Sequence, residues 1–190
     1  METKKQIYLT ASKMFLEQGY DNAPMSHIAK ELGLSKAGLY HHYPSKESLL
    51  FDIIDYLYEK NFIPVCEEAV KICDPEKRLV YFLRRFTEIM AMDASSRIVV
   101  HEAKRLEPHH FKKVKKSWQM IYDLFKNAIS EMQALGKAKK MNRSFAAFAA
   151  IGMCSWTFYW FDSSRKETAE ELAETFVEIF LKGITKETEQ

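Results

Sequence analysis

The stretch that decides the fold is residues 25–44, MSHIAKELGLSKAGLYHHYP, which has the pattern of two short helices joined by a tight turn. Two helices packed at a steep angle need apolar side chains at fixed places between them. We expect this role for Ile28, Leu32, Leu34 and Leu39. Ala29 is small where the backbones approach, and Gly33 occupies the turn, where a positive φ is often required. The stretch therefore predicts a helix-turn-helix.

Helical periodicity continues on both sides of this stretch, without the alternation typical of strands. Before it, Ile7, Ala11 and Phe15 share one helix face, and Gly19 stands where a glycine ends a helix. After it, Ser45 is placed to cap the next helix. The sequence predicts an all-α protein of about nine helices, with an N-terminal three-helix domain joined to a larger helical domain.

The sequence also predicts where three later helices begin or end. Pro64 should kink or end a helix near Phe62, because proline cannot donate the helical hydrogen bond. Asp74-Pro75 has the pattern of an N-cap followed by proline at the first helical position. The last helix is predicted over residues 167–182, with Gly183 as its cap.

Composition limits the class of protein. The 190 residues are 47% hydrophobic and 28% charged, as in an ordinary globular protein, and a net charge of +2 does not by itself indicate nucleic-acid binding. Cys66, Cys73 and Cys154 match no metal or redox spacing, which favours buried free thiols in a reducing compartment. No signal peptide or membrane span is visible, so we expect a cytoplasmic protein without a membrane partner. No phosphate loop or metal-ligand spacing is present either, so we expect no cofactor.

The N-terminal pattern resembles the DNA-binding domain of the tetracycline-repressor-like (TetR) family. The resemblance covers about residues 5–51 and rests on Gly19-Tyr20, Ile28-Ala29, residues 33–36, Gly38-Leu39-Tyr40, Tyr43, Lys46-Glu47 and Leu49-Leu50. It implies a DNA-binding domain over residues 1–50 and a ligand-binding and dimerisation domain over residues 51–190. It also implies double-stranded operator DNA, a small-molecule effector and a second copy of the chain as partners.

Within that resemblance, the N-terminal residues of the second short helix should meet base edges in the major groove. The candidate DNA contacts are Ser26, Ser35, Lys36, Ala37, Gly38, Tyr40, His41, His42, Tyr43 and Lys46. Lys36 can donate to guanine, Gly38 would permit close approach of the backbone, and Lys46 is the candidate phosphate anchor.

Two features depart from the usual pattern. Pro24 replaces the usual Ser or Thr and suits a first helical position, which leaves Asn22 or Ser26 as the polar contact. Residues 1–46 contain no arginine, so base readout must use Lys, His, Tyr and backbone groups.

The C-terminal part contains a very apolar helix over about residues 144–161, with small residues at Ala146, Ala149, Ala150 and Gly152. A helix that is apolar on all sides must be buried on most of them. We expect the last two helices to form a four-helix bundle with a second copy.

Trp156 and Trp160 are four residues apart, a spacing similar to that of family members that respond to acyl-CoA thioesters, although Ser155 replaces their usual Asn. The candidate ligand contacts are Phe86, His101, Arg105, Trp118, Tyr122, Trp156, Tyr159 and Trp160. The other interpretation of the two tryptophans, which their spacing favours, is packing in the core or the dimer interface.

These patterns predict a repressor that a small molecule, such as an acyl-CoA thioester or another hydrophobic metabolite, releases from a palindromic operator. A multidrug-sensing repressor of an efflux pump is the alternative. An enzyme or metal-binding protein is a distant one, because no nucleophile motif is present and Pro108 separates His101 from His109.

Overall fold

A computed structural model describes residues 2–93 and 95–186, with side chains from Lys4 onward. The α-helical segments are α1 (Glu2–Gln18), α2 (Met25–Glu31), α3 (Lys36–His42), α4 (Lys46–Leu57), α5 (Ile63–Lys71), α6 (Pro75–Met92), α7 (Ser96–Glu102), α8 (Pro108–Ala134), α9 (Arg143–Ser155), α10 (Thr157–Trp160) and α11 (Ala169–Ile184). A π-helical turn, Tyr58–Phe62, joins α4 to α5, and only Trp156 separates α9 from α10. In the described ranges the segments thus make nine helices and no β-strand, which confirms the all-α prediction.

The first compact unit comprises Met1–Lys60 and Ala94–Lys116. In it α1 packs on α2, α4 and α7, and α2 packs on α3. The core is built from fully buried aliphatic side chains of α2, α3 and α4, including Ile28, Leu39, Leu49, Leu50, Ile53 and Ile54. Leu32 and Leu34, which the sequence placed in this core, are only half-buried because they flank the turn.

Two glycines act in this unit as the sequence predicts. Gly19 has φ 83° and ends α1, and its N–H donates to the Phe15 carbonyl over 3.1 Å. Gly33 has φ 66° in the turn between α2 and α3. Both φ values lie in the left-handed region, which a residue with a Cβ adopts only at a cost.

The second compact unit comprises Asn61–Asp93 and Ser117–Gln190. Helix α6 lies at its centre and packs against α5, α9, α10 and α11. Its inner face is aromatic: the ring centroids of Phe82 and Phe125 are 4.8 Å apart, and Phe86 lies 5.9 Å from Phe125. All three rings are buried, so they form a filled core.

By packing, residues 94–116 belong to the same unit as the N-terminal segment. The predicted division between residues 50 and 51 is a division by function. That division stays a prediction, since packing does not assign DNA-binding or ligand-binding roles. No helix in the described part of the chain is both long enough and apolar enough to cross a membrane.

The later boundaries were predicted with mixed success. Asp74 caps α6 by accepting from the N–H groups of Glu76 and Lys77, and Pro75 is the first helical residue, as predicted. Ahead of Pro64 the helix widens into the π turn and continues, so the chain accommodates the missing N–H without ending the helix. The prediction for Gly183 was wrong, because α11 runs through it to Ile184 in helical conformation.

Candidate functional site

Helix α3 presents a polar surface that begins at its cap. The Ser35 hydroxyl oxygen accepts from the Gly38 N–H over 3.0 Å, which fixes the start of the helix. Leu39 is fully buried and anchors the inner face. The outer face carries the exposed residues Ser35, Lys36, Ala37, Tyr40, His41 and His42. This surface contains no acidic side chain, so it can approach an anion without repulsion.

Gly38 has a structural role within the same cap. A Cβ placed on it would lie 3.2 Å from the Ser35 hydroxyl oxygen, close enough to disturb the capping bond. The geometry therefore explains the glycine without DNA, and the predicted close approach of its backbone to DNA stays a prediction.

The start of α2 differs from the prediction. Pro24 is the N-cap residue, with φ −71° and ψ 146°, and the helix begins at Met25. Proline offers no capping oxygen, so no side chain caps this helix. The Asn22 amide donates to the Gln18 carbonyl over 3.1 Å at the end of α1, while Ser26 is exposed on the first turn of α2. Ser26 is thus the better placed of the two polar candidates.

Tyr43 lies inside the first unit and not on its surface. Its side chain is buried, and its hydroxyl donates to the Asp52 carboxylate over 2.7 Å. Burial, and then this hydrogen bond, raise the pKa of Tyr43 well above its usual value. The arrangement gives Tyr43 a packing role, and we leave it out of the interface proposed below.

Lys46 follows the Ser45 cap, which forms a reciprocal capping box with Ser48. Its ammonium lies 4.5 Å from the centroid of the Tyr20 ring and donates to the Asp21 carbonyl over 3.3 Å. Partial burial lowers the pKa of Lys46; the Asp21 carboxylate raises it and the Arg105 guanidinium lowers it. The predicted phosphate anchor is therefore held in place before any anion binds.

Arg105, predicted as a ligand contact, lies beside this anchor. Its guanidinium donates to both Asp21 carboxylate oxygens, over 3.0 and 2.7 Å, and also pairs with Glu102. The guanidinium carbon is 5.3 Å from the centroid of the Tyr20 ring. Sequence patterns could not predict this contact, because 84 residues separate its two partners.

A second connection in the first unit was also missed. Glu47, on the first turn of α4, accepts from the Glu107 N–H over 2.8 Å and lies 2.9 Å from Nδ1 of His110. The His110 ring stacks on Phe51 with centroids 3.8 Å apart. The His109 and His110 rings lie side by side, with centroids 4.0 Å apart. Among the described residues there is no group of three or more side chains suited to a metal ion.

The predicted ligand contacts are divided between the two compact units. His101 and Arg105 belong to the first unit, whereas Phe86, Trp118, Tyr122 and the aromatic residues after α9 belong to the second. Phe86 is buried among other phenylalanines. The Tyr122 hydroxyl donates to Ser144 over 2.8 Å, and its ring lies 5.0 Å from that of Phe148. Tyr122 thus has both an apolar and a polar contact.

Trp156 and Trp160 are at the surface, with 60% and 48% of their areas exposed. Trp156 packs on Tyr159 with centroids 4.4 Å apart, and Trp160 packs on Phe161 at 6.4 Å. The interpretation of the pair as core is therefore wrong. As part of a dimer interface or of a ligand site, the two tryptophan side chains would need an apolar partner that covers them.

Within one chain helix α9 is buried on one side, so the expected burial on most sides would need a second copy to cover the other. Ala147, Ala150 and Cys154 are fully buried on its inner side, which packs against α6. On its outer side Phe145 and Phe148 are 74% and 60% exposed. Ile179 on α11 is also 58% exposed. Both helices thus leave large apolar side chains uncovered.

Two family models match the chain. "Bacterial regulatory proteins, tetR family" matches residues 7–53, and "Tetracyclin repressor-like, C-terminal domain" matches residues 73–184. The two matched ranges contain the helix-turn-helix and most of the second unit.

Individual proteins are also similar. The chain is 25% identical to the HTH-type transcriptional activator FasR of Mycolicibacterium smegmatis, over 97% of this chain and 84% of FasR. It is 43% identical to the uncharacterized HTH-type transcriptional regulator YuxN of Bacillus subtilis, over 37% of this chain but only 24% of YuxN. The crystal structure of AibR in complex with isovaleryl coenzyme A and operator DNA superposes with a TM-score of 0.86 at 26% identity, covering 93% of this chain and 97% of AibR.

Proposed function

The chain belongs to the TetR family of DNA-binding transcriptional regulators, and from this premise we propose that it is a homodimeric repressor that a small hydrophobic metabolite releases from operator DNA. The observation that carries the proposal is the exposed, acid-free face of α3 on a helix-turn-helix. The family consists of transcriptional regulators, so we propose no enzymatic activity.

We assign the DNA interface to α3 and to the starts of α2 and α4. Lys36, Tyr40, His41 and His42 would face base edges or phosphates, since the N-terminal part of a recognition helix enters the major groove. Ser26 and Lys46 would contact phosphates, which fix the register of the protein on the duplex. These contacts resemble the usual family arrangement, except that no arginine of residues 1–46 contributes.

The dimer is proposed from the uncovered surface of α9 and α11. Phe145, Phe148, Trp156 and Ile179 are each more than half exposed, and several large exposed apolar side chains on two helices mark a candidate interaction site. A second copy would supply a matching surface, because a twofold interface is self-complementary. The dimer would place two α3 helices in successive major grooves, about 34 Å apart.

The effector is proposed to be an acyl-CoA thioester or another hydrophobic metabolite. Support comes from AibR, whose structure holds isovaleryl coenzyme A, and from Tyr122, which combines a half-buried ring with a hydroxyl contact to Ser144. The ligand can act only through unequal affinity for the DNA-binding and released states.

Two other modes of regulation have support from specific observations. FasR is named as an activator, so an effector of this chain could strengthen DNA binding instead of weakening it. A surface groove of the second unit is lined by Met92 and Phe161 and by three acids, Glu88, Glu167 and Glu170, against one cation, Arg165. This excess of negative charge would suit a cationic drug. These observations favour an activator and a multidrug sensor, respectively.

The test combines native mass spectrometry with DNA binding. Purified protein is mixed with a panel of acyl-CoA thioesters and cationic dyes, and its affinity for DNA selected from a random library is then measured. A dimer that gains one or two CoA masses and loses DNA affinity supports the proposal. A gain in affinity would indicate an activator, and binding of dyes alone would indicate a drug sensor. Failure to select any DNA would contradict the proposal.

A further inference from the structure

The predicted phosphate anchor Lys46 shares one residue, Asp21, with Arg105. Lys46 donates to the Asp21 backbone carbonyl, while Arg105 takes both oxygens of the Asp21 carboxylate. Both cations also lie against the ring of Tyr20. Two like charges are thus held next to one carboxylate, and only one of them is paired with it.

The choice of partner matters for DNA binding. A hydrogen bond between an ammonium and a carboxylate is about twice as strong as one between neutral groups. A lysine paired with a carboxylate has its charge neutralised and must break that pair before it can bind phosphate. A lysine on a backbone carbonyl keeps its positive charge available.

The geometry of Arg105 favours it over Lys46 as the partner of the Asp21 carboxylate. A guanidinium binds a carboxylate through two parallel N–H groups, which an ammonium cannot do. Glu102, three residues before Arg105, also pairs with the guanidinium and helps to hold it in place. Arg105 lies in the 3₁₀ turn Ala103–Arg105, outside the helix-turn-helix but within the first compact unit.

We infer that Arg105 is a positioning residue for DNA binding: by occupying the Asp21 carboxylate it keeps Lys46 free to contact a phosphate. The inference rests on the phosphate contact proposed above for Lys46. It gives Arg105 a role in the DNA-binding unit in place of the ligand contact that the sequence suggested. The Asp21 carboxylate, in turn, is the group that would neutralise Lys46 if Arg105 were absent.

The experiment measures how DNA affinity depends on salt. The observed association constant for a 25-base-pair duplex is measured by fluorescence anisotropy over a range of salt concentrations. Each protein–phosphate contact contributes about 0.9 to the slope of log K against log salt concentration. Lys46→Ala should lower the slope by about 0.9 per chain, or about 1.8 per dimer.

Arg105→Ala should lower the slope in the same direction, by at most that amount, because Lys46 then pairs with Asp21 and this exposed pair competes with the phosphate. Asp21→Asn alone should leave the slope unchanged. The double variant Asp21→Asn/Arg105→Ala should recover the wild-type slope, since no carboxylate remains to capture the lysine. A purely structural clamp would behave differently, because both single variants and the double variant would then be impaired alike.

Controls separate this effect from loss of charge or fold. Lys104→Ala removes a neighbouring exposed charge and should not reproduce the effect of Arg105→Ala. Arg105→Lys keeps a cation near Asp21 and should retain part of the slope, and Arg105→Gln replaces the alanine variant if that variant does not fold.

Two results would overturn the inference. One is an unchanged slope in Arg105→Ala, and the other is a double variant as impaired as Arg105→Ala alone. If Lys46→Ala itself leaves the slope unchanged, the proposed phosphate contact fails first and the inference fails with it. The Lys46→Ala result therefore distinguishes failure of the premise from failure of the inference.

Discussion

Truncation of Phe148 should weaken the proposed dimer without unfolding the protomer. Phe148 is 60% exposed on the outer side of α9, so its loss removes little from the core of the second unit. In the dimer it would be covered by the partner, and Phe148→Ala would remove that contact from both protomers, because the interface is self-complementary.

The magnitude follows from the exposed area. A phenylalanine side chain buries about 200 Å², so a 60% exposed ring has about 120 Å² left for a partner to cover. At about 25 cal/mol per Å², covering that area contributes about 3 kcal/mol, of which alanine retains about one third. The loss is then about 2 kcal/mol per protomer and about 4 kcal/mol per dimer, or about a thousandfold in the dimer Kd.

The assay is mass photometry over nanomolar concentrations together with sedimentation velocity at micromolar concentrations. Val70→Ala is the matched control, since Val70 is 64% exposed but lies on α5, which packs on α6 and is not part of the proposed interface. We expect Phe148→Ala to become monomeric at concentrations where Val70→Ala and the wild type stay dimeric. A dimer Kd that Phe148→Ala leaves unchanged would refute the assignment of this surface.

Three further predictions concern the protomer. At pH 8 a thiol reagent should label one cysteine in the folded protein and three in urea. The reason is that Cys73 is exposed, whereas burial raises the pKa of Cys66 and Cys154 to about 12. Labelling of two or three cysteines in the folded state would contradict this. Thr168→Ala should lower the free energy of unfolding by about 1 kcal/mol through loss of the α11 capping box, and urea denaturation at fixed protein concentration tests it, with no change as the contrary result. Gly33→Ala should destabilise the folded protein by about 1–2 kcal/mol, because Gly33 has a positive φ. Gly183→Ala, within helix α11, should stabilise it by about 0.5–1 kcal/mol. Thermal melts that rank the two variants the other way would contradict both assignments.

Local signals in the sequence predicted the helix-turn-helix well. Gly19, Gly33 and Ser45 each act through residues within one helical turn, so their roles can be read without a structure. The same kind of signal exists at Thr168, where Glu171 follows three residues later and completes a capping box. This capping box indicates that the last helix starts at Ala169. The start predicted at residue 167 did not take it into account.

Contacts between distant parts of the chain could not be predicted in this way. The pairing of Arg105 with Asp21 and of Glu47 with His110 depends on how α7 and α8 pack in the first unit, which periodicity does not specify. Exposure is a second limit: Trp156 and Phe148 belong to an apolar helix whose pattern shows burial but not whether the covering partner lies in the same chain.

The central claim is that two copies of α3 read a palindromic sequence in double-stranded DNA. Cyclic selection from a random duplex library, performed in parallel with the wild type and Lys36→Ala, tests it most directly. We expect the wild type to enrich two inverted half-sites with centres about 10–10.5 base pairs apart, and Lys36→Ala to relax one position in each half-site. Enrichment of no sequence, or of a single half-site that Lys36→Ala leaves unchanged, would contradict the account.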